Sequence, residues 1–280
     1  MIFEYKVLYE SNIRDYLLSY YVSKSFIYKL FLEKRIKVNG IDINERYIVK
    51  KDDIITIDEK VEVQYEPLDK KLDIIYEDSH ILIINKPKGI IIHDEKNSLC
   101  NIVQAYYNKN NIKCNIYFAH RLDTDTTGII LFVKDHITLS YFDHYFSTHE
   151  FKREYRLLVN GHLKNKNGVI DRRIGSDRHI NNKYVVSKTG KDAITYYSLI
   201  KEYKNYSYVS VNLKTGRTHQ IRCHMSYLGN PLLGDRLYGS FDNLIDRVAL
   251  HSYKINYIDP YTKKEMEFKC DLPSDMKELI

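Results

Sequence analysis

The stretch from Ala119 to Val133, AHRLDTDTTGIILFV, combines residue types that catalysis commonly requires. It places His120, Arg121 and Asp123 in a short polar cluster, and five apolar residues follow Gly128. This pattern is typical of a loop that leads into a buried strand. A polar loop anchored by a core strand can hold reactive side chains rigidly. We therefore take Asp123 as the centre of a candidate active site.

A carboxylate such as Asp123 can act as a nucleophile, as a base or as a structural hydrogen-bond acceptor. For an isolated aspartate the structural role is the most common. Burying the ionised form is costly unless a cation and hydrogen-bond donors meet it. A functional Asp123 therefore requires an arginine from elsewhere in the chain, and the segment TGRTHQIR offers Arg217 and Arg222.

The residues around Arg222 must position it. We interpret His219 to His224 as a strand-like stretch, in which alternation places Gln220, Arg222 and His224 on one face. Arg222 is then expected to project from a rigid element.

Several other kinds of site are excluded by their missing motifs. The chain has no G-x-x-x-x-G-K phosphate loop, no dinucleotide-binding fingerprint after a strand, and no His-Glu or paired-cysteine metal pattern. The four cysteines, at positions 100, 114, 223 and 270, are too widely spaced for metal knuckles and favour reduced thiols. We expect neither a cofactor nor a metal ion.

Composition predicts a globular protein. The 280 residues suffice for a domain of ordinary size with a small accessory module. The 44% hydrophobic and 29% charged shares argue against disorder. We see no signal peptide and no uncharged stretch of about 18 residues, so we expect a cytoplasmic protein without a membrane partner. A net charge of +6 is a modest bias towards polyanions.

Residues 11 to 60 have the pattern of a separate small module. Four apolar residues at helical spacing indicate a first helix: Ile13, Tyr16, Leu17 and Tyr20. Ser23 can cap a second helix, and Asn39-Gly40 is a strong hairpin signal. We predict two helices that lead into a hairpin, followed by a linker around Pro67.

Two segments are locally basic. In the small module, the stretch from Lys24 to Lys37 sets five cations against the single acid Glu33: Lys24, Lys29, Lys34, Arg35 and Lys37. Between positions 164 and 191, eight lysines or arginines stand against two aspartates and include Arg172, Arg173 and Arg178. The second segment resembles an exposed hairpin suited to phosphate contact. Considered alone, the first run is more typical of a solvated helix face, and the second fits a soluble insertion equally well.

The rest of the chain is dominated by short strands. Two strands are indicated around a turn at Asp78-Ser79, and two helices within Leu99–Tyr107 and Ser140–Ser147. Further strands are expected at residues 155–159, 193–200, 206–213 and 253–258. Such an order of elements favours a mixed sheet with few helices.

Ordered motifs in the larger part of the chain resemble those of the RluA/RluD-type RNA pseudouridine synthases. They are LDIIYEDSHILIINKPKGIIIH, HRLDTDTTG, the tyrosine of KREYRLLVNG, TGRTHQIRCHMSYLGNPLLGDRLYG and RVALHSYKINYIDPYTKKEMEFKCDLP. The match spans roughly residues 72 to 274. In the small module, SKSFIYKLFLEKRIKVNG and YIVKKDDIITI resemble an alpha-L type RNA-binding module. The departures are small: Thr127 and Ser252 stand where serine and alanine are more usual.

This resemblance implies a domain organisation and an architecture. We expect an alpha-L type module over 1–60, a linker over 61–71 and a pseudouridine synthase domain over 72–280. The predicted fold class is α+β, with a mixed, mostly antiparallel central sheet crossed by a catalytic cleft, plus the small N-terminal α/β module.

The resemblance also implies a chemistry. Members of this family cut the N1–C1′ bond of a flipped-out uridine, turn the uracil and rejoin it through C5. Asp123 is then the catalytic aspartate, which either attacks C1′ or assists elimination at C2′. Arg222 pairs with it, and Tyr155 stacks on the base and offers a hydroxyl for proton transfer. The implied substrate-binding residues are Arg121, which fills the gap left by the nucleotide, Leu250 beneath the uracil, His120 and Arg217.

The expected partner is RNA, bound by a monomer. Large-subunit ribosomal RNA is the expected substrate, with transfer RNA as the main alternative. A non-catalytic RNA-binding or ribosome-assembly factor is a second alternative, and a hydrolase ranks lower because no second acid accompanies Asp123. The basic residues listed above are expected to contact RNA, and the turn NKPKG is expected to direct Lys86 or Lys88 towards it.

Overall fold

The computed structural model of the chain describes residues 1–61, 65–93 and 96–280. Residues 62–64 of the predicted linker lie outside the described residues. No helix in the described ranges is long and apolar enough to span a bilayer.

The N-terminal elements form their own small sheets beside two helices. Ser23 caps the second helix by accepting a hydrogen bond from the Phe26 amide, which confirms the predicted cap. Asn39 and Gly40 both have positive φ and form the predicted tight hairpin turn. The bounds are β1 (Ile2–Lys6), β2 (Ser11–Asn12), α1 (Ile13–Leu18), α2 (Lys24–Leu32), β3 (Ile36–Val38), β4 (Ile41–Asp42), β5 (Ile48–Val49) and β6 (Ile54–Asp58).

The remaining elements build the larger part of the molecule. In chain order they are β7 (Ile74–Glu77), β8 (Ile81–Lys86), α3 (Leu99–Lys109), β9 (Tyr117–Phe118), β10 (Thr127–Val133), α4 (His136–Ser147), β11 (Lys152–Asn160), β12 (Asn167–Asp171), β13 (Ile174–Ser176), β14 (Tyr184–Val186), β15 (Ile194–Glu202), β16 (Tyr206–Leu213), α5 (Gln220–Tyr227), a 3-10 turn (Arg236–Tyr238), β17 (Leu250–Ile258), β18 (Glu265–Lys269) and α6 (Ser274–Lys277).

Ten of these strands form one long sheet. Its main path runs β12-β15-β16-β11-β17-β10-β8-β7, with β18 paired to β17 and β9 paired to β10. Strands β10 and β17 pair in parallel, and the other described pairs are antiparallel. The predicted α+β fold with a mixed, mostly antiparallel sheet is therefore confirmed.

The segment His219–His224 is not a strand. Residues Gln220–Tyr227 form helix α5, so the strand interpretation is wrong. Ile221 and Met225 are buried one helical turn apart. Gln220 and His224, also one turn apart, both hydrogen-bond the Thr195 hydroxyl. A short run of alternating polar and apolar residues fits both periods, and tertiary contacts select the helix.

The small module packs directly on the large sheet and its helices. The Tyr5 hydroxyl donates a 3.0 Å hydrogen bond to Asp135, which is fully buried and caps α4. The ring of Phe26 in α2 lies 4.0 Å from that of His136. Apolar residues of both parts belong to one continuous core cluster. The domain boundaries at 60 and 72 remain predictions.

Glu59 lies in this contact. It is 5% exposed, and its Oε1 accepts a 2.7 Å hydrogen bond from the His136 amide. Burial, followed by the negative charge of Asp135, raises the pKa of Glu59 to about 8.

Candidate active site

The loop that carries Asp123 is held from beneath by Lys86 in β8. Lys86 is fully buried, and its Nζ donates hydrogen bonds to the carbonyl oxygens of Pro87, Thr124 and Thr126 at 3.0, 2.7 and 2.9 Å. Lys86 therefore cannot face RNA, and that alternative is wrong. Burial lowers its pKa to about 8, against the pull of nearby aspartates.

Lys88, two residues further along, has the opposite environment. It is exposed and forms an ion pair with Asp246 at 2.8 Å.

A second buried cation, Arg247, fixes the far end of the loop. It is 3% exposed and donates from Nη1 to the carbonyl oxygens of Asp125 and Leu250, both at 3.3 Å. Its Nε and Nη2 bind both carboxylate oxygens of Asp275 at 2.7 and 2.8 Å. Arg247 thus ties the Asp123 loop to β17 and to α6.

Gly128 allows β10 to approach β17 closely. It has φ +103°, and a Cβ atom there would lie 2.2 Å from the carbonyl oxygen of Ser252. Beside this contact, the Thr127 hydroxyl and His251 Nδ1 are 2.8 Å apart. Only glycine fits this position without displacing a strand. The loop therefore ends at a fixed point in the middle of the sheet.

Arg222 in α5 is the cation that meets Asp123. Its Nη1 lies 3.3 Å from Asp123 Oδ2. Its Nε and Nη2 bind Asp235 at 2.7 and 2.9 Å, and Asp235 is 1% exposed. Burial disfavours the charged guanidinium, but the two carboxylates outweigh it and raise the pKa of Arg222. Arg222 is thus a permanently charged, doubly anchored partner for Asp123.

His219 approaches the same carboxylate oxygen. Its Nε2 lies 3.7 Å from Asp123 Oδ2, and its Nδ1 lies 3.2 Å from the Tyr238 hydroxyl. That hydroxyl accepts a hydrogen bond from the Tyr184 amide in β14. Burial lowers the pKa of His219, so the imidazole is held in its neutral form. No described side chain forms a hydrogen bond or ion pair with Asp123 Oδ1, which leaves that oxygen available to a substrate.

Tyr155 and Leu250 come from adjacent strands, β11 and β17, and both are 4% exposed. Burial raises the pKa of Tyr155, and Asp123 adds to this effect while Arg153 opposes it. The tyrosine therefore keeps its proton at neutral pH and can donate a hydrogen bond.

One cavity of about 1040 Å³ joins these groups. Its lining includes all seven residues that the sequence predicted for catalysis and substrate binding: Asp123, Tyr155, Arg222, Arg121, Leu250, His120 and Arg217. This volume is sufficient to hold an extruded nucleotide.

The three remaining predicted substrate-binding residues occupy different parts of the cavity. Arg121 is exposed and forms no ion pair with a described residue. Arg217 is also exposed and donates to the Asp192 carbonyl at 2.9 Å rather than to Asp123. His120 is buried and accepts from the Leu131 amide at 3.3 Å, and burial lowers its pKa to about 3. His120 therefore ties the loop to β10 as a neutral imidazole.

The predicted RNA-binding residues of the small module fall into two groups. Lys24, Lys29 and Lys34 are exposed and form no ion pair with a described residue. Arg35 instead pairs with Glu33 at 2.9 Å, and Lys37 pairs with Asp42 at 3.4 Å.

The predicted basic hairpin is also present and exposed. Arg178 forms no ion pair with a described residue, Arg173 pairs with Asp192 at 2.8 Å, and Arg172 donates to the Asp171 carbonyl. Tyr184 of this hairpin packs on the cluster that contains Cys223 of α5. The basic surface thus adjoins the helix that carries Arg222.

Sequence reasoning missed several residues that build the site. Asp235 anchors Arg222, Lys86 and Arg247 fix the loop, and Arg153 lines the cavity. A usable signal existed for Asp235: a buried arginine presented to a reactive carboxylate needs a second acceptor for its other N–H groups, and Asp235 stands between two motif glycines. The described residues contain no cluster of three metal-binding side chains.

Comparisons with known proteins identify the family. The model of the family described as RNA pseudouridylate synthase matches residues 80–227. The chain is 37% identical over 265 residues to the uncharacterized RNA pseudouridine synthase YhcT of Bacillus subtilis (strain 168), covering 92% of this chain and 88% of that protein. It is 33% identical over 279 residues to the ribosomal large subunit pseudouridine synthase D of Yersinia pestis, covering 92% and 86%.

A solved structure supports the fold. The human RNA pseudouridylate synthase domain containing 1 superposes with a TM-score of 0.63 at 22% identity, covering 75% of this chain and 87% of that one. The family match spans more than half of the chain, and the relatives share about a third of its residues over nearly its full length. As the motif resemblance predicted, the chain belongs to the RNA pseudouridylate synthase family, the isomerases that convert uridine in RNA into pseudouridine.

Proposed function

We propose that this RNA pseudouridine synthase modifies uridines in large-subunit ribosomal RNA, with Asp123 as the reacting carboxylate. The observation that carries the catalytic part is the Asp123–Arg222 pair, which faces the cavity beside Tyr155. The choice of ribosomal RNA is supported by the names of the relatives from Yersinia pestis and Escherichia coli, each a ribosomal large subunit pseudouridine synthase. The cytoplasmic location and the monomeric state remain predictions.

Asp123 begins the reaction next to the ribose of the flipped uridine. Its Oδ2 is engaged by Arg222 and approached by His219, so Oδ1 is the oxygen that meets the sugar. It either bonds to C1′ or removes a C2′ proton, and either route requires the ionised carboxylate that Arg222 stabilises. The electron pair of the N1–C1′ bond leaves with the uracil as an anion.

The rest of the cavity turns and returns the base. Leu250 provides an apolar surface, and Tyr155 stacks on the ring while its protonated hydroxyl donates a hydrogen bond. C5 then bonds to C1′; on the first route the Asp123–C1′ bond breaks in this step, and on the second Asp123 returns its proton to C2′. The C5 proton departs and N1 gains a proton, so substrate and product have the same atoms. The exposed Arg121 takes the space that the nucleotide leaves in the RNA.

Replacing Asp123 tests the catalytic assignment. Asp123→Asn should reduce pseudouridine formation at least about 1,000-fold because the amide neither attacks nor accepts a proton. RNA affinity should change by less than about threefold, since the phosphate contacts remain. Asp271→Asn is the matched control, because Asp271 is an exposed acid that does not line the cavity, and this variant should retain activity. Normal activity of Asp123→Asn would refute the assignment.

Mapping of pseudouridines tests the substrate. Chemical mapping of total RNA from cells that lack the protein should show sites missing from large-subunit ribosomal RNA, and expression of the wild-type protein should restore them. Loss confined to transfer RNA would replace the proposed substrate. No loss in any RNA, together with intact RNA binding, would favour an assembly factor.

A further inference from the structure

Arg153 is a cation in the cavity that the proposed reaction has not yet used. It lies on β11 two residues before Tyr155, so both side chains share one face of the strand. It is 8% exposed and lines the cavity. Its Nε is buried without a hydrogen-bond partner, and no described carboxylate lies within ion-pair distance.

The surroundings make room for this guanidinium without neutralising it. A Cβ atom at Gly216 would lie 2.9 Å from Arg153 Nη1, so the glycine of the TGR motif leaves the space that the cation occupies. On another side, the Arg153 guanidinium stands over the Phe146 ring, 5.1 Å from its centroid. The glycine and the aromatic ring position the charge but supply no counter-ion.

Arg222 shows how the same fold accommodates an arginine whose charge is paired within the protein. Arg222 contacts two carboxylates, Asp123 and Asp235, whereas Arg153 contacts none. Burying an unpaired charge is expensive, and the cost is recovered when an anion binds beside it. Arg153 is therefore placed for a negatively charged part of the substrate.

The location distinguishes between the two kinds of anion that RNA can present. Backbone phosphates remain near solvent, where the cavity already has the exposed Arg121 and Arg217. Only the extruded base reaches the buried wall formed by Tyr155, Leu250 and Arg153. The uracil becomes an anion when the N1–C1′ bond breaks, with its charge shared by N1 and the carbonyl oxygens.

We propose that Arg153 is a catalytic residue that binds a carbonyl oxygen of the detached uracil anion and stabilises it while the ring turns. This proposal rests on the proposed function of the same cavity. The guanidinium donates hydrogen bonds and keeps all its protons. Its contact weakens once C5 has bonded to C1′ and N1 has gained a proton, because the base is then neutral. Stabilisation that is strongest where charge develops accelerates the step rather than the binding.

The test compares Arg153→Met and Arg153→Lys with the wild type on an RNA that the wild type modifies. At saturating RNA, Arg153→Met should lower the single-turnover rate about 100-fold while the Kd for RNA stays within about twofold. Arg153→Lys, which keeps a positive charge, should recover about tenfold of that loss. The Tm of Arg153→Met should equal or exceed that of the wild type, because a buried unpaired charge has been removed.

A control arginine on the same strand separates the effect of the cavity from the general effect of removing a cation. Arg156 pairs with Glu154 and stands over Tyr253, and it does not line the cavity. Arg156→Met should therefore keep the wild-type rate.

Three results would overturn the proposal for Arg153. The single-turnover rate of Arg153→Met could be unchanged, or the loss could be confined to RNA affinity. Alternatively, the Tm of Arg153→Met could fall so far that unfolding of the variant at the assay temperature accounts for its lower rate. Different results would contradict the proposed function. Activity in an Asp123→Asn arm would contradict the assignment of Asp123, and an RNA other than ribosomal RNA would contradict only the substrate.

Discussion

The loop that carries Asp123 and the basic hairpin use the same kind of charge in opposite ways. Beneath the loop, Lys86 and Arg247 are buried and donate to backbone carbonyl oxygens. On the hairpin, Arg172, Arg173 and Arg178 are exposed. A buried cation fixes the backbone around it, whereas an exposed cation remains available to a polyanion. The number of positive residues in a segment is therefore a poor guide to its RNA contacts until burial is known.

The largest effect should separate Lys86 from Lys88. Lys86→Met should lower the free energy of unfolding by about 3 kcal/mol or more, because three inward-facing carbonyl oxygens lose their donor, and activity should fall with it. Lys88→Met should change it by less than about 0.5 kcal/mol, because its ion pair with Asp246 is exposed. Urea unfolding of both variants measures the difference. Equal stabilities would contradict the claim that the buried Lys86, unlike the exposed Lys88, fixes the backbone around it.

The buried acid Glu59 should have a smaller effect on the free energy of unfolding, and this effect should depend on pH. Its folded-state pKa is about 8 and the ordinary value is 4.5, so between these values the folded protein keeps a proton that the unfolded chain releases. The stability contributed by Glu59 is therefore complete below about pH 4.5 and is lost as pH rises towards 8.

Glu59→Gln keeps the carbonyl that accepts the His136 amide and removes the titration. Between pH 5 and pH 8, wild type should lose more than about 1 kcal/mol of unfolding free energy relative to Glu59→Gln. Thermal or urea unfolding at several pH values measures this, and parallel curves for the two proteins would show that Glu59 is ionised in the folded state.

The smallest effect should come from the exposed hairpin. Arg178→Ala should weaken RNA binding a few-fold and reduce the slope of log affinity against log salt by about one, with stability unchanged within about 0.5 kcal/mol. Lys277→Ala is the control and should leave the slope unaltered. It removes an exposed cation that is paired with Asp271 and lies outside the hairpin sequence. An unchanged slope in Arg178→Ala would remove this arginine from the RNA-binding surface.

Local chemistry made part of the structure predictable. The Ser23 cap and the Asn39-Gly40 turn depend on neighbouring residues, and β16 has the bounds that alternation indicated. The motif resemblance placed Asp123 and Arg222 in one site, and their side chains do meet.

The remainder required the tertiary fold. The alternating sequence of α5 predicts a strand, whereas contacts of Gln220 and His224 with Thr195 fix it as a helix. Lys86 and Lys88 have the same chemistry two positions apart, and strand alternation would place them on one face. Only Lys86 is buried, because β8 ends at Lys86 and the chain turns away before Lys88. The missing counter-ion of Arg153 is a property of its surroundings, which no local pattern records.

The parallel contact permitted by Gly128 also determines the stage of folding at which the active-site cavity is completed. It joins β10 to β17, and the Thr127–His251 pair beside it spans 124 residues of chain. Contacts that close so long a loop form late because much of the chain must be ordered first. During synthesis, a chain that ends before Leu250 carries Asp123, Tyr155 and Arg222 but lacks the strand on which the cavity closes. The cavity is thus complete only once the last part of the sheet has been added.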